Sequence, residues 1–440
     1  MAVGAFRDWF RNETFYTGGR KAESLAEYWM ASPRRRQYER IAFDPGLPPG
    51  GGENPIYNLF QGFAVTPAPY YENIEDHKRH FSVLADHVLT NVCKGDPELA
   101  KWIWGWFAHI IQHPTRPIGK ALVFRGRMGT GKSKLAEVFG SLVEPHWVQV
   151  GSSRYLTGQF NAHKISLLFL ASDEAVWAGD KAAESALKDM VTNKTHMIEK
   201  KGVDPIKFPN FIRIFMTSNE NWVVPAGLEE RRFAVLDVGE WVIQNREYFA
   251  ELDEQLDRVA GETGQKGVEA CATGRQHLMA YLMQLDLTQI PLHQVPKTEA
   301  LWDQKLASLN TPLAWWFQSL KDGSLSRRGE AWGLVETEEF YTNYKHFCET
   351  SDRKALVREQ FISHLAKVIP KKNDGSPDWV RKRCSARAMS DDAGGASMVR
   401  PWGYEFPSLA KCREAWEGLT GHSFDWGEET AERELDHAPA

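Results

Sequence analysis

One short run constrains this 440-residue chain more than any other: Gly126-Arg-Met-Gly-Thr-Gly-Lys132-Ser133, which satisfies the spacing GxxxxGK[ST]. Its flanks matter as much as its letters. ALVFR (121–125) before it is a strand-like apolar run, and Leu135, Val138, Phe139 and Leu142 after it fall on one face of a helix. A glycine-rich turn between a strand and a helix lets backbone N–H groups converge on phosphate oxygens, and the helix N-terminus adds a favourable dipole. The run therefore predicts an ATP-phosphate cradle shaped by Gly126, Gly129, Thr130 and Gly131. In that reading Lys132 neutralises the β- and γ-phosphates and Ser133 holds Mg²⁺.

The sequence around this run fits an α/β domain. Further strand-like runs are WVQV (147–150), ISLLFLAS (165–172), FIRIFMTS (211–218) and FAVLDV (233–238), with helical patterns between them. That alternation predicts three layers around a largely parallel sheet. Upstream, DPELAKWIWGWFAHIIQH (96–113) reads as a helix, with Asp96 as its cap and Pro97 in its first turn. Trp102, Ile103, Trp106, Phe107 and Ile110 recur at helical spacing there, so it packs on something large.

Two polar positions end apolar strands downstream. The run from Ser166 closes on Asp173-Glu174. Placed on a strand next to the cradle strand, Asp173 supports Mg²⁺ and Glu174 orients and deprotonates an attacking water. The next strand runs into Asn219, a neutral amide suited to positioning that water or sensing the γ-phosphate.

The chain divides by pattern into an accessory or oligomerisation region (1–95), an ATPase core (96–240), a polar helical connection (241–310), an α+β unit (311–430) and a disordered acidic tail (431–440). A loop is expected at 47–55 from its Pro and Gly content, and a flexible one at 385–398. The formal net charge of −5 means that any nucleic-acid contact must come from local basic patches. Five cysteines without a CxxC pair argue against a zinc module or a disulfide framework. No signal-peptide pattern and no apolar run long enough for a bilayer are seen, so a cytoplasmic setting, the cell's own or a host's, is expected.

The order of motifs, with the cradle first, then Asp-Glu, a basic segment, an apolar strand ending in Asn and finally Arg231-Arg232, resembles superfamily 3 helicases, the AAA+-like replicative motors of small DNA viruses, phages and plasmids. The likeness is greatest to the helicase portion of phage primase-polymerase and poxvirus-type primase-helicase proteins. It implies an AAA+-like P-loop core with a helical N-terminal region and a C-terminal winged-helix-like unit. It also implies a homo-oligomer, a hexameric ring on single-stranded and forked DNA, with a primase or polymerase as a further partner. Between Glu174 and Asn219 such proteins carry a channel hairpin. Here His196–Glu199 and Pro205–Phe208 supply its strands and Lys200, Lys201 and Gly202 its tip. Arg232, or Arg231 beside it, matches the position of the family's arginine finger. Arg381, Lys382 and Arg383 are candidate DNA contacts in the C-terminal unit. No acidic cluster of a primase or polymerase is evident. The alternatives are an ATP-switched origin-binding initiator and a remodelling ATPase that does not unwind.

Overall fold

In the computed structural model the described residues are 3–16, 22–51, 55–152, 155–156, 158, 161–173, 181–200, 203–224, 226–258, 272–326, 332–390 and 396–426. Five strands form the central sheet: β1 (Ala121–Arg125), β2 (Trp147–Val150), β3 (Phe169–Asp173), β4 (Arg213–Ser218) and β5 (Phe233–Asp237). Their order is β5-β1-β4-β3-β2, and every pairing is parallel. β1 and β4 are buried along their whole length, as strands covered on both faces must be.

Side-chain alternation along these strands feeds two separate cores. Leu122, Phe124, Phe169, Phe215, Ala234 and Leu236 face one side. Helix Pro97–Gln112 and helix Lys132–Val143 pack there, with Phe107 and Phe139 rings 4.5 Å apart. Ala121, Val123, Leu170, Ile214, Met216 and Val235 face the other side, where helices Lys181–Thr192 and Glu299–Ala307 contribute Leu187, Met190, Ala300 and Leu301. The expected three layers are present. Asp96 caps its helix as read from sequence, accepting from the N–H groups of Glu98 and Leu99 at 2.9 and 3.0 Å.

One expectation fails in an informative way. The strand ending at Asp173 does not lie beside β1, because β4 is inserted between them. The sheet being parallel, all C-terminal strand ends still share one edge, so Asp173 reaches the turn after β1 across one intervening strand. That strand also begins at Phe169 rather than 165, because 162–168 form a short 3-10 turn and a bend.

Residues upstream of Pro97 are less helical than expected. They include helices Val3–Trp9 and Leu25–Ala31, a parallel strand pair Arg40–Ala42 with Ile56–Asn58, a 3-10 stretch Ile74–Phe81 and a π-helix His87–Val92. After the sheet, helices Arg246–Asp257 and Gly274–Gln284 bury Leu252, Leu256, Leu278 and Leu282 in the first core. Residues 309–416 build a third core around Trp315, Trp316, Phe340, Tyr344, Phe361 and Trp416. Three antiparallel strands stand over it in the order Leu334–Glu336, Trp402–Glu405, Val380–Arg383. Within the flexible loop expected at 385–398, Arg387–Ser390 pairs antiparallel with Ala396–Val399, and residues 391–395 lie outside the described residues.

Candidate functional site

The C-terminal edge of a parallel α/β sheet is where ligands bind such folds, and the polar residues singled out above meet there. The turn after β1 needs backbone conformations that side chains resist: Gly129 has φ 82° and Gly131 φ 81°. Space forbids a side chain as well, since a Cβ on Gly131 would sit 2.5 Å from the His87 ring. Gly126 begins the turn and donates its N–H to Ser218 at 3.1 Å. Thr130 is buried and its hydroxyl donates to the Arg127 carbonyl at 2.9 Å, closing the turn on itself.

The π-helix His87–Val92 braces this turn from behind. Asn91 donates its amide to the Thr130 carbonyl at 2.8 Å. His87 lies one helical turn earlier, 3.2 Å from the Tyr248 hydroxyl, and burial lowers its pKa to about 4, so it is neutral at pH 7.

Lys132 is buried at the start of its helix. Its ammonium donates to the carbonyls of Gly126 and Arg127, both at 2.6 Å, and to the Asn219 side-chain oxygen at 3.1 Å. Ser133 donates its hydroxyl to Asp173 at 2.9 Å. Asp173 also accepts from Thr217 at 2.6 Å and from Gln149. Lys132, Ser133, Asp173 and Asn219 thus come from three parts of the sequence and converge on one hydrogen-bonded edge. They line a cleft of about 420 Å³ together with Gly129, Gly131 and Phe249. Among the described residues no group of three or more His, Cys, Asp or Glu side chains could hold a metal ion. Any metal here would rest on the Ser133–Asp173 pair.

Below the edge, Arg125 ties the site to its frame. Its guanidinium donates to Asp237 at 2.5 and 2.8 Å, to Asp303 at 2.7 Å and to the Asn221 carbonyl at 2.8 Å. The hydrogen bond that Arg125 donates to Asp237 is the main reason its pKa is raised, despite opposition from burial.

Other expected residues lie elsewhere. Glu174, Lys201 and Gly202 fall outside the described residues. The strands around the expected tip are Thr195–Lys200 and Val203–Pro209, paired antiparallel, with Lys200 the last residue of the first. Arg231 and Arg232 precede β5, at the opposite edge of the sheet from Lys132. The Arg232 carbonyl accepts from the Ala121 N–H at 2.8 Å, where β1 begins. Its guanidinium is 3.4 Å from Glu230, which also takes the N–H groups of Arg231 and Arg232 at 2.9 and 2.7 Å. Five residues of β1 separate the edges, roughly 16 Å.

Sequence reading missed Thr217 and Gln149, although both are polar residues at the ends of apolar strands and so carried a signal. It also missed Asn91 and His87, whose only signal is a polar i, i+4 pair in LADHVLTNV.

Known proteins resemble the chain at two levels. A family of unknown function (DUF5906) matches residues 124–232, which span the turn, Asp173, Asn219 and Arg232. The DNA primase-polymerase of Nitratiruptor phage NrS-1 is 25% identical over 213 residues, 47% of this chain and 28% of that protein. The chain therefore spans well under half the length of that curated relative. Among solved structures, the apo C-terminal region of NrS-1 superposes with a TM-score of 0.57 at 15% identity, covering 91% of this chain and 90% of that one. A second apo form gives 0.55 at 16% identity over 88% and 93%. At that identity the likeness establishes a shared fold. Among the described residues no helix is long and apolar enough to cross a membrane.

Proposed function

We propose that this chain is an ATP-hydrolysing motor of phage DNA replication, a ring-forming helicase of the superfamily 3 type that moves on single-stranded DNA. The observation that carries the reading is the convergence of Lys132, Ser133, Asp173 and Asn219 beside the turn 126–131 at the C-terminal edge of a parallel sheet. Backbone N–H groups of the turn and the ammonium of Lys132 suit a triphosphate. Ser133 and Asp173 offer the hard oxygen donors that Mg²⁺ takes in phosphate sites, where the ion keeps water and nucleotide oxygens as its other ligands. The ion would supply charge neutralisation of the transferring phosphoryl group. Glu174 is assigned the general base, and Asn219, already bonded to Lys132, the contact that reports the γ-phosphate. Lys200 and Lys201 at the hairpin end are assigned to the DNA backbone, which they can follow without reading bases. The phage relative supports the replication setting.

The test is nucleotide binding and phosphate release, with and without forked DNA. Lys132→Ala should lose both binding and turnover. Glu174→Gln should bind ATP normally and release phosphate at least about a hundred-fold more slowly, the scale of a lost general base. The Lys200→Ala/Lys201→Ala protein should keep basal turnover but lose DNA stimulation. Turnover unaffected by Lys132→Ala would remove the ATPase reading altogether.

A further inference from the structure

The C-terminal sheet carries a second arrangement that the motor reading does not use. All four residues of strand Val380–Arg383 are exposed. The register pairs Arg381 with Tyr404 and Arg383 with Trp402, so these four side chains share one face of the ladder. The guanidinium of Arg383 lies 4.3 Å from the centre of the Trp402 ring and that of Arg381 5.1 Å, while Trp402 itself is 41% exposed. Lys382 points to the other face, where Glu405 takes its ammonium at 2.9 Å.

Stacking on an aromatic ring fixes a planar guanidinium and leaves its N–H edge turned outward. Arg383 spends one of those donors on the Arg400 carbonyl at 2.6 Å. Among the described residues neither Arg381 nor Arg383 pairs with a carboxylate, unlike Lys382 and Arg358 on the same unit. Two residues apart on a strand, the two cations stand about 7 Å apart, a spacing suited to neighbouring phosphates of one chain. A cleft of about 640 Å³ is lined by Arg381, Trp402 and Tyr404, and by Arg358, which Glu338 already holds at 2.5 Å. Glu336 and Glu359 line the same cleft, where their charge disfavours phosphate.

We propose that this face, Arg381 and Arg383 set by Trp402, binds the sugar-phosphate backbone of DNA without reading its sequence, as a contact separate from the nucleotide cleft and from the hairpin 195–209. Phosphate is favoured over an acidic protein because the donors lie in a row along an extended strand at about the spacing of neighbouring phosphates.

The test is fluorescence anisotropy of labelled single-stranded and duplex oligonucleotides with the full chain, without nucleotide, over roughly 50 to 200 mM salt. Omitting nucleotide keeps this result independent of whether the chain hydrolyses ATP. The Arg381→Ala/Arg383→Ala protein should bind about ten-fold more weakly. Its slope of log affinity against log salt should fall by about 1.4 for single strands or about 1.8 for duplex, two phosphate contacts in either case. Trp402→Leu should weaken binding while leaving most of the slope, because both charges remain but lose their setting. Unrelated sequences should respond alike. An unchanged affinity and slope in the double variant, with its circular dichroism melt intact, would overturn the proposal. So would a loss confined to one sequence, or a poly-glutamate peptide that binds this face while DNA does not.

Discussion

The two edges of the central sheet carry the same kind of charge in opposite circumstances. At the C-terminal edge, Lys132 is held by carbonyls of its own turn and by Asn219, and Asp173 is surrounded by Ser133, Thr217 and Gln149. Each polar group has its partners in place, which is the pre-organisation that phosphoryl chemistry rewards. At the N-terminal edge, Glu230 takes the Arg232 guanidinium and the backbone N–H groups of Arg231 and Arg232, and Lys120 beside them donates to the Arg231 carbonyl at 2.7 Å. Burial, and next the neighbouring Arg231, lowers the Lys120 pKa. One edge is closely hydrogen-bonded, whereas the other gathers Lys120, Arg231 and Arg232 within a few residues of Glu230. A strand's length keeps them apart within one copy, so under the proposed ATPase reading the cations would serve a nucleotide on a neighbour, in a head-to-tail assembly.

The largest effect should come from breaking that division of labour. Arg232→Ala should bind ATP but release phosphate about a thousand-fold more slowly, the low end for a lost arginine finger. Mixed with Lys132→Ala subunits it should regain part of the activity, because each protein supplies the edge that the other lacks. Phosphate release by the mixture, compared with each protein alone, is the measurement. If Arg232 serves only to pair with Glu230, the mixture will show no gain and Glu230→Ala will match Arg232→Ala in every assay.

The edges also differ in how far the sequence disclosed them. Gly126, Gly129, Thr130, Gly131, Lys132 and Ser133 are contiguous, so local spacing carries their geometry, and Asp173 and Asn219 announce themselves as polar ends of apolar runs. What lies around them is not local. Asn91 reaches Thr130 from 39 residues away through a π-helix, an element with no periodic signature. Periodicity identified the strands but could not tell that β4 would insert between β1 and β3, since a crossover leaves strand order open. The stacking of Arg381 and Arg383 on Trp402 depends on a ladder register across a long arm that composition alone made look like a loop.

A smaller effect is expected where the C-terminal edge is tied to its frame. Arg125 is nearly buried and divided between Asp237 and the more exposed Asp303. Asp237→Ala leaves the nearly buried guanidinium short of its main partner and should cost roughly 2 kcal/mol in urea unfolding, the scale for a charged donor that loses a hydrogen-bond acceptor. Asp303→Ala, at a carboxylate whose side chain is 53% exposed, should cost less than about 1 kcal/mol. Equal costs would mean that the frame does not depend on the less exposed carboxylate.

The smallest effect compares the edges through their histidines. His87 stands behind Gly131, and His109 lies near the other edge beside Arg213. Burial is the first cause that lowers each to about 4, with Arg213 and then His113 adding to it for His109. An unfolded histidine takes up its proton near pH 6.5. Between that pH and about 4 the unfolded chain therefore binds more protons than the folded one, so stability is complete above 6.5 and falls as the pH drops through this window. Replacing either histidine with glutamine should flatten the fall of Tm between pH 7 and pH 5 by a few degrees at most, on the scale of about 1 kcal/mol in a chain of this size. The two should part in a second measurement. His87→Gln disturbs the brace behind the turn and should weaken ATP binding several-fold, whereas His109→Gln should leave it unchanged. If His109→Gln weakens binding as much as His87→Gln does, the brace is not specific to the C-terminal edge and the contrast between the two edges fails at this level.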